Sequence, residues 1–540
     1  MALSFAVRRR ATELVAPAAP TPRETKRLSD VDDPESLRWQ VPVVFVYRPS
    51  AAAADPVDTI RRALAAALVP YYPFAGRLRE VEGRKLVVDC TGEGVMFVEA
   101  DADVRVVELE AAGLRAPFPC MDQLLFDVDG SAAVLGTPLL LIQVTRLLCG
   151  GFVLGIRLNH AMCDASGIVQ FMTPSPISPA LLDARKPPKL AFHLREYNDF
   201  AAAPPAAPSV GALGDMVMRT FSFSPGDVAA LKGALPPNLR GRATSFDVLA
   251  SFVWRARARA LETPAGEDAR LAIIVSFRNN GELRLPRGYY GNVCVPVTVA
   301  MPAEALRRRG SLADVVEQVR EAKKTVNAEY VRSVADTLVM RGRPAIDTAN
   351  LLLLSDVRLA GFHRVDFGWG EPVYGGPSHA WYGVSYLIAV KNGAGEDGVA
   401  VPVVLPAAAM ERFTSEIERL RKGQFLTDQT DPHESDTHPE EASEQLPNRH
   451  LQLSNDSQAF ESWLRRWAGG GDEAGGGGAC SRLHFSDAGA HEVSCAGEGE
   501  WREHGGGGCG GGCCGGVGFV ESPTCGWGSS YHIQIKIKQR

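Results

Sequence analysis

PLLLIQVTRLLCGGFVLGIRLNHAMCDASG, residues 138–167, holds two apolar runs separated by Cys149-Gly150-Gly151. They read as the two strands of a hairpin. In the second run Val153, Gly155, Arg157 and Asn159 alternate with Phe152, Leu154, Ile156 and Leu158, so the spacing predicts one packed face. His160 follows at the strand end, just before a turn. Rigid structure meets clefts at such points, and catalytic side chains are commonly held there. Asp164 stands four residues on. The pair admits three readings: a catalytic base with its partner, a metal ligand, or a packed histidine without chemistry. A metal ion would want a third ligand at short spacing, and none stands nearby.

Around this hairpin the chain alternates strands and helices. WQVPVVFVYR (39–48) reads as a strand. DTIRRALAAALVPYYPFAGRL (58–78) begins as a helix capped by Asp58 and ends where Pro70 and Pro73 intervene. RKLVVDC (84–90) and VMFVEADADVRVVEL (95–109) read as further strands. Residues 173–210 are proline-rich, an extended linker between domains. A second region, 211–422, shows a helix in TSFDVLASFVWRARARAL, a strand in ARLAIIVSFR and a helix in SLADVVEQVREAKKTVNAEYV. Strands follow near 350–355, 384–390 and 398–404, and AAAMERFTSEIERLRK closes it as an amphipathic helix. Residues 423–540 are polar and then glycine-laden, a composition that buries too little apolar surface to offset chain entropy and predicts disorder. Cys509, Cys513 and Cys514 are its metal-ligand candidates, but glycine-only spacing offers no scaffold to fix a coordination geometry.

Four histidines precede that tail: His160, His193, His363 and His379. His193 reads as a surface or interface residue, and His363 and His379 flank a glycine-rich segment without a partner pattern. The HAMCD stretch falls after YYPFAGRL (71–78) and before RGYYGNVC (287–294) and VDFGWGEPVYGGP (365–377). In this order the motifs resemble the plant acyl-CoA-dependent acyltransferases known as the BAHD family, from about residue 4 to 422. His160-x-x-x-Asp164 and Asp366-Phe367-Gly368-Trp369-Gly370 are the specific ones. The opening LSFAVRRRATELVAPAAPTPRETKRLSDVDD looks most like the branch of benzyl alcohol benzoyltransferases and leaf-alcohol acetyltransferases.

The resemblance implies an α/β fold of two similar domains, 1–172 and 211–422. Each is a mixed sheet with flanking helices, of the chloramphenicol-acetyltransferase type, and they meet at a channel. It implies acyl-CoA as cosubstrate, a small alcohol as acceptor, and no bound cofactor or metal. His160 would be the general base, suited by a reference pKa near ~6.5 to take an alcohol proton at cytosolic pH and return it to the leaving thiolate. A thioester is already activated, and no G-x-S-x-G stretch supplies a covalent nucleophile. Asp164 either orients His160 as a triad carboxylate does or pins the turn in a bidentate pair with Arg278, which the family implies. Trp369 either donates its indole N–H to an oxyanion or belongs to a buried turn in which Asp366, Gly368 and Gly370 shape the site indirectly, the reading preferred here. Ser245, Gly375, Gly376 and Ser378 are the candidate CoA contacts. Two departures stand out. Pro174, Pro176 and Pro179 stop the helix after SGIVQFM where the family continues it, so a segment beside the base seems missing. GGPSHAWYGVSYLIAV is also short. The alternatives are N-acylation of a polyamine or aryl amine by the same base, and a homologue that keeps the fold with weakened catalysis.

Composition agrees with a globular enzyme and excludes several other classes. A net charge of −6 offers no basic stripe for nucleic acid or anionic membrane. The most apolar stretch, 138–158, is broken by Gln143, Arg146 and a glycine pair, too soon for a membrane helix. The start, with Arg8, Arg9 and Arg10, lacks the apolar core of a secretory signal, and LSFAVRRR fits a first strand better than a transit peptide. Cys90, Cys120, Cys149, Cys163 and Cys294 are too scattered for a disulfide frame and read as reduced thiols. A cytosolic monomer is the expectation.

Overall fold

The structure, a computed structural model, describes residues 3–50, 54–128, 134–173, 177–178, 180–197, 215–308, 311–348, 350–391 and 395–424. The glycine-rich tail with Cys509, Cys513 and Cys514 lies outside the described residues, as do Pro174, Pro176, Pro179 and most of the second half of the linker.

Strands in the first half are β1 (Val7–Arg9), β2 (Glu13–Val15), β3 (Thr25–Arg27), β4 (Gln40–Tyr47), β5 (Arg77–Val81), β6 (Lys85–Asp89), β7 (Val95–Ala102), β8 (Leu140–Leu147) and β9 (Phe152–Asn159). The second half adds β10 (Met216–Phe223), β11 (Asp268–Ser276), β12 (Cys294–Pro302), β13 (Leu351–Asp356), β14 (Tyr374–Pro377), β15 (Val384–Lys391) and β16 (Asp397–Pro406). One sheet runs β1-β7-β8-β9-β4-β14, with β2 also on β7. A second runs β10-β16-β15-β13-β11-β12, and β3-β6-β5 form a small third. Both large sheets are mixed. β7 and β8 are parallel, as are β11, β13 and β15, and the other pairs are antiparallel. The expected architecture of two α/β halves is present.

The β8–β9 hairpin lies in the middle of the first sheet, and there the one-faced expectation needs correcting. Phe152, Leu154, Ile156 and Leu158 join the main core with Val43, Phe45 and Tyr47. Val153 faces a second core with Val44, Val46 and Leu124. A Cβ on Gly155 would stand 2.4 Å from the Leu124 carbonyl oxygen. Arg157 donates to the Phe126 carbonyl oxygen at 3.1 Å. The chain from Phe118 to Phe126 therefore covers the other face, and β9 is packed on both sides.

Three other local readings shift. Asp55, not Asp58, caps the helix Pro56–Ala67, accepting from the Val57 N–H at 2.8 Å, because Pro56 opens the helix at its first position. The strand expected over 95–109 stops at Ala102, and Val106–Ala111 is helical. The helix expected over 311–331 is two, Ser311–Thr325 and Ala328–Met340, since the Asn327 side chain accepts from the Tyr330 N–H and starts a new one.

β14 is the least expected element. It belongs by sequence to the second half but pairs antiparallel with β4 of the first, Tyr374 opposite Val46 and Pro377 opposite Val43. A Cβ on Gly375 would lie 2.7 Å from the Phe362 carbonyl oxygen and 2.9 Å from the Phe45 ring, so only glycine lets this strand close the sheet. The second half thereby covers the β4 edge and ties the halves together.

Candidate active site

His160 extends the β4–β9 ladder by one step. Gln40 is paired with Asn159, and the His160 N–H then donates to the Trp39 carbonyl oxygen at 3.0 Å. The chain turns at once. Asn159 Oδ1 accepts the Ala161 N–H, and Asp164 caps the helix Ala165–Met172 through the Gly167 N–H at 2.8 Å. Gly167 is required here, because a Cβ would fall 2.0 Å from the Tyr290 carbonyl oxygen. That close approach brings RGYYGNVC against the HAMCD turn. The aromatics of YYPFAGRL complete the contact, with Tyr71 and Phe74 packing on Phe171 and Tyr290 at ring separations of 5.0–5.6 Å.

Asp164 points to the second half and not into a triad. Arg278 Nη2 donates to both its oxygens, at 3.1 and 3.3 Å, and the Val293 N–H donates to Oδ2 at 3.1 Å. The pair is not the fork-on-fork arrangement expected, because Arg278 Nη1 is engaged at 2.6 Å by the Tyr289 carbonyl oxygen. One carboxylate thus holds the helix start, the arginine and the start of β12 together.

Asn292 escaped the sequence reading. It is fully buried, and its Nδ2 donates to the His160 carbonyl oxygen at 3.0 Å and to Asp32 Oδ1 at 2.9 Å. His160 Nδ1 and Asn292 Oδ1 are both buried without a hydrogen-bond partner. Burial holds His160 below the ordinary imidazole range; its own carbonyl, the Asp164 charge and the Asn292 side chain oppose this only in part. The ring is therefore neutral at pH 7 and available as a base. Trp39 flanks it at 5.9 Å, and Trp381 meets Trp39 edge-on at 4.6 Å.

The DFGWG turn sits elsewhere. Asp366 Oδ1 accepts the N–H groups of Gly368 (2.7 Å) and Gly370 (2.9 Å), and both glycines have positive φ, 102° and 82°. Phe367 packs on Tyr47 and Trp369 on Phe152, at 6.0 and 5.1 Å. Tyr47 donates its hydroxyl to the Val365 carbonyl oxygen at 2.8 Å. Tyr47 and Phe152 are the far ends of β4 and β9. At ~3.3 Å per residue, Phe152 lies roughly 23 Å along the strand from Asn159. An indole stacked there is out of reach of an oxyanion beside His160, which favours the structural reading of the turn.

Ser245 opens the helix Ser245–Ala260, and its Oγ accepts from Arg358 Nη1 at 3.1 Å. Gly375 and Gly376 lie in β14. Ser378 follows it, and its N–H donates to the Pro42 carbonyl oxygen at 3.1 Å. Strand pairing accounts for these three, all buried. Of the other histidines, His193 is exposed, His363 accepts from Arg364 Nε at 3.1 Å, and His379 packs on Trp381 at 5.4 Å. Among the described residues no three His, Cys, Asp or Glu side chains gather as a metal site, and no helix is long and apolar enough to cross a membrane.

A partly buried histidine at the end of a central strand of one mixed sheet, held by residues of the other half, is the class of site this fold presents. Comparison with known proteins gives the class its name: the Transferase family matches residues 5–420, and the chain belongs to it, as one of the BAHD acyltransferases. A benzyl alcohol O-benzoyltransferase of Petunia hybrida is 47% identical over 447 residues, covering 79% of this chain and 96% of that protein. A (Z)-3-hexen-1-ol acetyltransferase of Arabidopsis thaliana is 44% identical over 442 residues, covering 77% and 95%. Among solved structures, vinorine synthase shares the fold with a TM-score of 0.58 at 20% identity, over 77% of this chain and 98% of that one. TRI101 of F. graminearum with ethyl coenzyme A gives 0.59 at 17%, over 74% and 98%. The chain is an acyltransferase. Since 79% of 540 residues is fewer than 447, some positions of the petunia protein have no counterpart here.

Proposed function

We propose that this enzyme transfers an acyl group, acetyl or benzoyl or similar, from its CoA thioester to the hydroxyl of a small alcohol, with His160 as general base. One observation carries the reading: a neutral imidazole, partly buried at a strand end between the halves, with a buried Nδ1 that has no protein partner. Nε2 takes the hydroxyl proton as oxygen attacks the thioester carbonyl. The tetrahedral intermediate collapses, the carbon–sulfur bond breaks, and the same proton passes to the CoA sulfur. Asp164 and Arg278 hold the base-bearing turn against the second half, and Asp366, Gly368, Trp369 and Gly370 brace the opposite end of the sheet. Ser245, beside Arg358, is the CoA contact we retain; Gly375, Gly376 and Ser378 serve by closing β14 onto β4. The names of the petunia and Arabidopsis relatives support an alcohol as acceptor. Acyl-CoA as donor supports the cytosol.

The test is thiol release from benzoyl-CoA and acetyl-CoA with panels of alcohols and amines. Release with alcohols, lost by at least about a hundredfold in His160→Ala with CoA affinity unchanged, is expected. Release with amines alone makes the enzyme an N-acyltransferase, and an active His160→Ala removes the base.

A further inference from the structure

The N-terminal segment Ser29–Asp33 buries three carboxylates that do different things. Asp30 and Asp33 are paired with Lys85 and Arg343 at 2.7–3.0 Å. Asp32, 3% exposed, makes no ion pair among the described residues. Its Oδ1 accepts both the backbone N–H (2.8 Å) and the side-chain Nδ2 (2.9 Å) of Asn292. Its Oδ2 accepts the Ser29 N–H (3.1 Å) and the Tyr289 hydroxyl (3.4 Å). Burial pushes this carboxyl up to about 6, against the pull of the Asn292 donors. A buried carboxylate without a cation is costly, and here one of its two oxygens is given wholly to Asn292.

We propose that Asp32 is a positioning residue for acyl transfer, one that locks the Asn292 amide and through it the placement and tautomer of His160. A carboxylate only accepts, so Asn292 must turn Nδ2 toward Asp32, an amide orientation that the acceptor-only His160 carbonyl oxygen reinforces. Its second Nδ2 hydrogen is taken by the His160 carbonyl oxygen. Both donors are then committed, and Asn292 can show the imidazole only its oxygen. That oxygen and His160 Nδ1 are both buried without a partner. With the proton on Nδ1, both the amide oxygen and the ring's own carbonyl can receive it, and the lone pair stands on Nε2, where the base is needed. A reversed amide would offer N–H to Nδ1, move the ring proton to Nε2 and block the base. Asp164, committed to Arg278, Gly167 and Val293, leaves this function open.

The inference rests on His160 being the base, and the test separates the two. The isosteric Asp32→Asn would face the Ser29 N–H with a second donor or release Asn292. We expect kcat to fall by about a hundredfold, as for an ~1 Å misplacement, with the acyl-CoA KM within about threefold. In the double variant with Asn292→Ala, the loss should be no greater than in Asn292→Ala alone, because the two act in series. Independently of any variant, a long-range proton–nitrogen NMR correlation on the wild-type protein at pH 7.5 should place the His160 proton on Nδ1. A folded Asp32→Asn with near-wild-type kcat, losses that multiply, or a proton on Nε2 would overturn the role of Asp32. If His160→Ala is inactive in the same assays, the base reading survives that failure.

Discussion

β4 and β9 lie side by side through the first sheet, and their two ends are built on opposite principles. At one end the sheet runs into His160, Asn292, Asp32, Asp164 and Arg278. There, buried polar groups are held by directed hydrogen bonds, and three atoms, His160 Nδ1, Asn292 Oδ1 and Arg278 Nε, are left without partners. At the other end Tyr47 and Phe152 meet Phe367 and Trp369 ring on ring, and the polar part of the motif, Asp366, is exposed to water. Both ends carry a motif distinctive enough to identify the family. Only the first keeps groups that can move a proton out of water, so distinctiveness of sequence does not measure nearness to chemistry. A motif can be recognisable because a turn has little tolerance: positive φ at two glycines and two ring contacts fix it without any reaction.

Asp164→Ala should expose the difference most strongly. It removes the acceptor of the Gly167, Val293 and Arg278 donors at once. Breaking a largely buried pair from one side costs on the order of 2–4 kcal/mol when one partner stays partly wet. Arg278 Nε is already buried without a partner, so the arginine would keep only the Tyr289 carbonyl oxygen as acceptor. Apparent melting temperature and kcat should both fall, kcat by about tenfold or more as the base-bearing turn loosens. Unchanged melting with lost activity would instead make Asp164 a partner of the reaction.

The pH dependence sharpens the same end. His160 works as a base only when neutral, and burial lowers its pKa. The acid limb of kcat/KM should therefore have its midpoint below the ordinary imidazole value of about 6.5, with the rate flat from there through pH 7.5. Asp32, at about 6, is lost to protonation on the same limb. Burial raises the nearby Cys163 and Cys294 thiols, so neither adds a limb at neutral pH. A midpoint above 6.5 would mean that the ring is less buried, or more strongly paired, than the structure has it.

How much of this was legible follows the same division. The hairpin, His160 and Asp164 are local features, visible as alternation and spacing within ten residues, and Arg278 came with the family resemblance. Asn292 and Asp32 were not legible. Their bond spans 260 residues, and SDVDDPE looks from sequence like an acidic surface run when Asp30, Asp32 and Asp33 are in fact buried. β14 was hidden for a related reason: YGGP reads as a turn, and only the β4 edge makes it a strand. The strand face of β9 called polar was covered by a segment that sequence alternation cannot see.

At the aromatic end, Trp369→Ala removes a partly buried ring from Phe152. It should cost on the order of 2–3 kcal/mol of stability while the kcat of the folded fraction stays within about threefold. Thermal unfolding and active-site-normalised turnover separate these. A collapse of kcat in a fully folded variant would bring the indole into the reaction and undo the contrast between the two ends.

Asp366→Ala is the smallest effect and the most pointed control. The carboxylate is exposed and gives its oxygen to two N–H groups of its own turn. Water can replace it at those donors, so the loss should be that of a surface cap, about 1 kcal/mol. Gly368 and Gly370 keep their positive φ without help, and Phe367 and Trp369 still have Tyr47 and Phe152 to pack on. Turnover should therefore stay within about twofold of wild type. Asp366 and Asp164 are both motif carboxylates that accept backbone N–H groups in a turn, and they differ in whether water can take their place. If removing Asp366 harmed catalysis as much as removing Asp164, that physical distinction would not be what separates the two ends of the sheet.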